Sequence, residues 1–383
     1  MIEAALQDPE RMSQGKVTPV RPLSLADRLA ERIRVEGPIT FHEWMRCALY
    51  DPQDGYYTRS DYHRWGPEGD YRTSPETSEL FAATFARYFA ELHQRLGSPE
   101  RWQIVECGAG DACFAEGVLR ALRSFFPQVY AATTYFIDEI SILGIENIRR
   151  RLEPFTDHLK FGRLSSLGSI EGIIFSNELL DALPVHRLTK RNGVLVELYV
   201  GLGSTGEFEW IVGPLSDQRL FHIYSENGVD IRDDYYIELS PEIDRWLTMV
   251  ANKLRRGYVI TVDYGAEATE LYDNPARHNG TLRAYSHHKF AEILENPGEH
   301  DITAHVNWTR IRSLGSALGL STFSFERQDK FLLDSGILDE LVRRSASDVS
   351  DAEKLRLSTA VREMILPNSM AATFQVLVQE RYS

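Results

Sequence analysis

The sequence predicts an α/β protein with a mostly parallel sheet covered by helices on both faces, and three observations carry that expectation. Strand-like apolar runs at 102–106, 133–137, 172–176 and 258–263 alternate with helical periodicity at 112–125, 142–152 and 241–255. Alternation of this kind calls for parallel strands joined by crossover helices. The first of those strands, Trp102-Gln103-Ile104-Val105-Glu106, runs into Gly108 and Gly110 and then into a helix, the junction at which a βα unit brings backbone close to a nucleoside. Further on, Ser321–Phe325 and Phe374–Glu380 are strand-like and flank a helical stretch over 327–365, so an antiparallel pair is expected to close one edge of the sheet.

Taken in order, residues 1–22 read as a flexible tail and 23–100 as a helical segment with a covering loop. Ser24 can cap a first helix with Leu25, Leu29 and Ile33 on one face and Gly37 past its end. Thr40 can cap a second, with Phe41, Met45 and Leu49 in register and Pro52 stopping it. The polar stretch from Gly55 to Pro75 has no period and reads as a loop of functional length. A long helix is expected from Thr77 to Leu96, ended by Gly97. Residues 101–383 then hold the α/β domain, with a β-rich insertion at 185–238, where Val194, Val196, Leu198 and Val200 alternate, and a helical insertion at 327–369. No internal repeat is present, which argues against a solenoid.

Composition narrows the class. A chain of 383 residues with 43% hydrophobic and 26% charged residues has the balance of a globular protein. A formal charge of −14 argues against nucleic acid as a partner, since phosphate binding needs a cationic face, and fits a cationic substrate better. Cys47, Cys107 and Cys113 are too few for a disulfide framework and lack metal-site spacing, so a reducing compartment and no metal are expected. No apolar run reaches the ~18 residues of a membrane span. Glu3, Asp8 and Glu10 make the first residues unlike a signal or transit peptide, and the expected location is cytoplasmic.

The chemistry concentrates at the ends of the predicted strands. The usual dinucleotide fingerprint wants a third glycine where Cys113 stands, so a mononucleoside-type ligand such as S-adenosylmethionine fits better than NAD. Glu106 closes the first strand, where it can orient the cofactor's amino group or bond to the turn amides. Glu139, near the end of the second strand, can accept ribose hydroxyls, and Asp138 competes for that role. Beyond the third strand, Asn177 offers an amide with donors and acceptors, while Glu178 and Asp181 lie three apart and can grip a guanidinium or ammonium. Asp301, Thr303 and His305 precede a helix that Asn307 can cap and Gly319 can close. His305 is either an acid–base residue near neutral pH or an orienting one.

Several separate blocks resemble the MidA-type methyltransferases, a family that includes the mitochondrial complex I assembly arginine methyltransferase. The blocks are Gly37-Pro38-Ile39-Thr40-Phe41, Tyr50-Asp51-Pro52, Gly55-Tyr56-Tyr57, Gly69-Asp70-Tyr71, Pro75-Glu76, Val105-Glu106 with Gly108 and Gly110, Glu139-Ile140-Ser141, Asn177 to Val185, Asp263-Tyr264-Gly265, Gly280-Thr281-Leu282 and Asp301 to Val306. The chain departs from the family pattern at Ala109 and Ala112, where glycines are usual, and at Ile142, where proline is usual. The resemblance implies a seven-stranded class I methyltransferase sheet and S-adenosyl-L-methionine as cofactor. It further implies Gly69, Asp70, Glu76, Glu106, Gly108, Gly110 and Glu139 on the cofactor and Asn177, Glu178, Asp181 and His305 in catalysis. The expected activity is methylation of an arginine on a partner protein. Alternatives are a small-molecule O- or N-methyltransferase and an assembly factor that keeps the cofactor as a structural ligand. No nucleic-acid or membrane partner is expected, and a homodimer is compatible with the sequence.

Overall fold

The computed structural model describes residues 23–59, 79–286, 289–346, 349–366 and 373–382. The tail at 1–22, most of the loop read at 55–75, and with it Gly69, Asp70 and Glu76 lie outside the described residues.

Seven strands form the central sheet: β1 (Trp102–Cys107), β2 (Thr133–Asp138), β3 (Leu159–Phe161), β4 (Ile170–Asn177), β5 (Leu254–Ala266), β6 (Ser321–Arg327) and β7 (Phe374–Arg381). Their order across the sheet is β6-β7-β5-β4-β1-β2-β3. β3, β2, β1, β4 and β5 run parallel, and β7 is antiparallel to both of its neighbours. This is the class I methyltransferase sheet, with the edge pair where the sequence places it. A short strand, Val306–Asn307, adds to the end of β5. β3 is not among the strands read from the sequence, because three residues are too few to show a period.

Alternation along the strands sends side chains to two cores. Ile104, Tyr135, Ile137, Ile173, Phe175 and Ile260 meet one set of helices, and Val105, Phe136, Ile174, Val259 and Leu377 meet another. Each fully buried side chain of this kind contributes roughly 1.5–3 kcal/mol of transfer free energy. The helices follow their local signals. In α1 (Leu25–Glu36), Ser24 and Asp27 form a reciprocal capping box and Leu25, Leu29 and Ile33 are buried. Thr40 caps α2 (Phe41–Tyr50) through the Glu43 amide. Helix α3 is described from Glu79 to Arg95, and Gly97 follows it at φ +85°. Helix α4 (Cys113–Phe125) starts without a side-chain cap, from Ala112 in a left-handed conformation at φ +62°. Ser141 caps α5 (Ile142–Arg151) through the Gly144 amide. On the second face, α6 (Pro241–Lys253) supplies Trp246 and Leu247, and α7 (Trp308–Ala317), capped by Asn307, supplies Trp308. The stretch after β6 is three helices, α8 (Gln328–Asp334), α9 (Ile337–Ser345) and α10 (Asp351–Ile365).

A second, antiparallel sheet joins Ile39–Thr40, Val194–Leu202, His186–Arg191 and Tyr236–Leu239, with Phe208–Gly213 paired to Val194–Leu202. The helix Gln218–Glu226 interrupts this β-rich region. A third sheet, of Arg283–Ser286, Lys289–Ala291 and Asp301–Thr303, has no strand signal in the sequence reading. Leu25, Phe41 and Tyr56 pack with Val185, Ile302 and Ala304 in one core. The N-terminal helices are thereby fixed against the loops beyond β4.

Opposite the site, Gln103, Gly172 and Gly257 share one rung of β1, β4 and β5. A Cβ on Gly172 would lie 2.0 Å from the Gln103 carbonyl oxygen, and one on Gly257 would lie 1.9 Å from that of Gly172. Both glycines have positive φ, +143° and +135°, so no side chain fits at either position.

Candidate active site

The carboxyl ends of β1, β2, β4 and β5 converge, and two groups of residues meet there. The first is local to the glycine junction. Gly108 and Gly110 both have positive φ, +73° and +57°, which L side chains adopt rarely. The Gly108 N–H donates to the Asp138 carbonyl at 2.8 Å. A Cβ on Gly108 would approach Leu179 Cδ1 to 3.0 Å, so the loop after β4 rests on the glycine turn. The sequence argument reserved that space for a ligand; the structure shows that Leu179 also restricts it.

Glu106 is 4% exposed and accepts a hydrogen bond from the Tyr135 hydroxyl at 2.7 Å. Burial pushes its carboxyl up to about 8, with the neighbouring charges of Asp111 and Glu139 adding to the effect against the Tyr135 bond. Glu139 Oε2 accepts from the Gly110 amide at 3.1 Å, and Oε1 accepts from the Ile140 and Ser141 amides at 2.8 and 2.9 Å. Burial nonetheless raises its pKa above the ordinary carboxylate value. With three amides on its two oxygens, Glu139 keeps about one of roughly four acceptor positions for a ligand hydroxyl. Asp138 is held elsewhere, by the Leu164 amide at 2.9 Å and by Arg163 at 3.2 Å. Of the two side chains, that of Glu139 is the one bonded to the glycine loop.

The second group is acidic and drawn from four distant segments. Asn177 ends β4, and its Nδ2 donates to Glu178 Oε1 at 3.0 Å. Glu178 is forced into left-handed backbone, φ +49°, while its N–H donates to the Val262 carbonyl at 2.9 Å. Strain of this sort gathers at functional sites. Asp181, 3% exposed, is pushed up to about 6 by burial, against a hydrogen bond from the Tyr264 hydroxyl. Among the described residues Asn177 Oδ1, Ser176 Oγ and Asp181 Oδ1 are buried with no hydrogen-bond partner, which leaves polar atoms for a ligand to satisfy. Asp263, fully buried at the end of β5, accepts from the Leu180 amide at 2.9 Å. Asp301, 2% exposed, accepts from the Tyr57 hydroxyl at 2.6 Å, and the Tyr50 hydroxyl donates to the Ala182 carbonyl at 3.0 Å.

His305 is held down to about 4 by burial and by the cations Arg277 and Arg283. Its Nδ1 lies 2.8 Å from Arg277 Nη1, and its ring meets Tyr264 edge-on at 5.4 Å. A pKa held that low keeps the ring neutral at pH 7, which suits an orienting group better than a neutral-pH acid. Tyr56 is core packing, whereas Tyr57 reaches the acidic group. Sequence reasoning gave no role to Asp263, Tyr50 or Tyr264. The available signal for the first was an aspartate closing a long apolar strand, where burial is costly without a purpose. Among the described residues no cluster of His, Cys, Asp and Glu could hold a metal ion, and no helix is long and apolar enough to cross a membrane.

A doubly wound sheet in this strand order, with a positive-φ glycine turn after β1 and unsatisfied polar atoms after β4, defines a class I methyltransferase. Residues 84–326, well over half of the chain, match the family described as “Putative S-adenosyl-L-methionine-dependent methyltransferase”, and the chain belongs to that family. It is therefore a methyltransferase whose cofactor is S-adenosyl-L-methionine, and the MidA-type resemblance holds. The chain is 28% identical to the “Protein arginine methyltransferase NDUFAF7 homolog, mitochondrial” of Caenorhabditis elegans, over 86% of this chain and 80% of that one. It is 24% identical to “Protein arginine methyltransferase NDUFAF7, mitochondrial” of Homo sapiens, over 83% and 74%. A crystal structure from Burkholderia thailandensis, described as a “likely methyl transferase” bound to S-adenosyl-homocysteine, superposes with a TM-score of 0.82 at 28% identity, covering 93% of this chain and 92% of that one.

The relatives correct the expected location. Those from Caenorhabditis elegans, Drosophila melanogaster and Homo sapiens are all mitochondrial proteins, so the cytoplasmic expectation does not stand.

Proposed function

We propose that this methyltransferase acts on an arginine of a partner protein, with Glu178 and Asp181 holding the guanidinium. The carrying observation is the acidic group beside the glycine turn, in which Asp181, Asp263 and Asp301 are buried and Glu178 is half-buried. Burying several carboxylates together is costly unless a cation compensates them, and the relatives named above are protein arginine methyltransferases. Gly108, Gly110, Glu106 and Glu139 are the residues that would hold the cofactor, and the unsatisfied Asn177 Oδ1 faces the same convergence of strand ends.

When bound, S-adenosylmethionine supplies an electrophilic methyl group. A guanidinium that gains a methyl must shed one proton, because it carries a single positive charge before and after. Asp181, whose pKa burial raises above the usual carboxylate value, is the base that accepts that proton. Glu178 keeps charge on the other nitrogens, Asn177 orients Glu178, and His305 braces Tyr264. Positioning is the main catalytic contribution.

A second reading, a small-molecule acceptor, draws support from the burial of Asp181 and Asp301, which suits a compact substrate. The deciding experiment adds methyl-labelled S-adenosylmethionine and enzyme to extract of source cells lacking the gene. Label in protein, recovered as methylarginine after hydrolysis, is the expected result. Label only in the metabolite fraction would overturn the arginine assignment.

A further inference from the structure

We infer that Asp263 is a positioning residue for the methyl-transfer reaction, acting by clasping the β4 loop so that the Asp181 carboxylate stays aimed at the acceptor. Asp263 Oδ2 accepts from the Leu180 amide at 2.9 Å and more weakly from the Asp181 amide at 3.4 Å, while Oδ1 accepts from the amide of Tyr264 at 2.9 Å. One fully buried carboxylate thereby ties β5 to the backbone of Leu180 and Asp181.

The clasp has a counterpart one residue earlier, where the Glu178 amide donates to the Val262 carbonyl at 2.9 Å. Asn177 is paired with Val262 in the register of β4 and β5, so the chain leaves the sheet at Glu178 and is recaptured by Asp263 at Leu180. Between these two points Glu178 adopts its left-handed backbone, φ +49°. The far side of the loop is held by the Ala304 amide, which donates to the Asp181 carbonyl at 3.0 Å. Tyr264, next to Asp263, bonds to the Asp181 side chain through its hydroxyl.

A carboxylate is required because backbone N–H groups approach both of its oxygens. An amide in its place can satisfy the Leu180 side or the Tyr264 side but turns an NH₂ toward the other N–H. Like charge adds a second link, since Asp181 and Glu178 both push the Asp263 carboxyl upward on top of burial.

The inference rests on Asp181 being the acceptor-side carboxylate, and the test separates the two. Four proteins are compared: wild type, Asp181→Asn, Asp263→Asn and the double variant. The readouts are label transfer from S-adenosylmethionine into whole extract of source cells lacking the gene, and S-adenosylhomocysteine affinity by calorimetry. Asp263→Asn is expected to slow transfer by about tenfold or more with affinity changed less than about threefold, and the double variant is expected to be no slower than Asp181→Asn. If Asp263→Asn does not fold, Asp263→Ser, which keeps one acceptor in a smaller side chain, takes its place in the same comparison. A double variant slowed by the full product of the single effects overturns the inference, as does an Asp263 variant at the wild-type rate. If Asp181→Asn itself transfers at the wild-type rate, the underlying reading falls as well.

Discussion

The glycine half of the site and its acidic half are built by different means. Around Gly108 and Gly110 the partners are near in sequence or on the adjacent strand, and the carboxylates find donors: Glu139 takes three amides and Glu106 takes the Tyr135 hydroxyl. Around Asp181 the carboxylates come from residues 178–181, 263 and 301, and hydroxyls from Tyr50, Tyr57 and Tyr264 hold the surrounding loops. The first half is preformed by two adjacent strands, β1 and β2, and the turns that follow them. The second exists only once the N-terminal helices and the third sheet have docked. A generic cofactor can rely on local geometry, whereas a particular acceptor is read by a surface assembled from the whole chain.

Three experiments sharpen or break that division. The largest effect is expected from Gly108→Val, which puts a β-branched residue at φ +73° against Leu179. S-adenosylhomocysteine affinity should fall at least about 100-fold, roughly 2.7 kcal/mol, with the folded state still detectable by its own melting transition. Retained affinity in the folded variant would remove the ligand from this turn. Next, Tyr57→Phe deletes the 2.6 Å bond to Asp301. A hydrogen bond to a charged group contributes about 1.5–3 kcal/mol, so the melting temperature should drop by a few degrees while cofactor affinity stays unchanged. A parallel loss of affinity would show that the two halves are not separable.

The smallest signal is a proton count. The Glu106 carboxyl titrates near 8 in the free protein, above its unfolded value, and so is mostly protonated at pH 7. An ammonium group bound beside it favours the charged form and lowers that pKa, so binding releases a proton. Calorimetry in buffers of different ionisation enthalpy should find close to one proton released per ligand at about pH 7, falling toward none above about pH 9. The release should vanish in Glu106→Gln. Buffer-independent heats in the wild type would place the amino group away from Glu106.

The same division explains what the sequence made legible. β1, the glycines and α4 follow one another without interruption, and their period and glycine signals are local. The capping box at Ser24 and the Asn307 cap of α7 were readable for the same reason. Asp263, Tyr50 and Tyr264 were not assigned, because nothing within ten residues of each says which distant segment it will touch. That Asp138 and Glu139 face different sides follows from strand alternation, but which side holds the glycine loop is fixed only by β3 and Leu164 packing beyond. His305 stayed between two roles for a related reason: its burial, and the cation Arg277 that adds to it from 28 residues away, are not visible locally. Short strands such as Leu159–Phe161 and those of the 283–303 sheet show no period to read.

The Gly172–Gly257 rung bears on how inherited variation in this chain would be interpreted. The rung sits five residues below Asn177 on β4, about 17 Å away at the usual strand rise, and touches neither half of the site. Replacing either glycine would prise apart β1, β4 and β5, the strands that deliver Glu106, Asn177 and Asp263. A map of damaging alleles should therefore have two peaks, one at the chemistry and one at the opposite pole of the sheet. The second peak would reflect the frame that spaces the strands, and reading it as a second binding site would be an error.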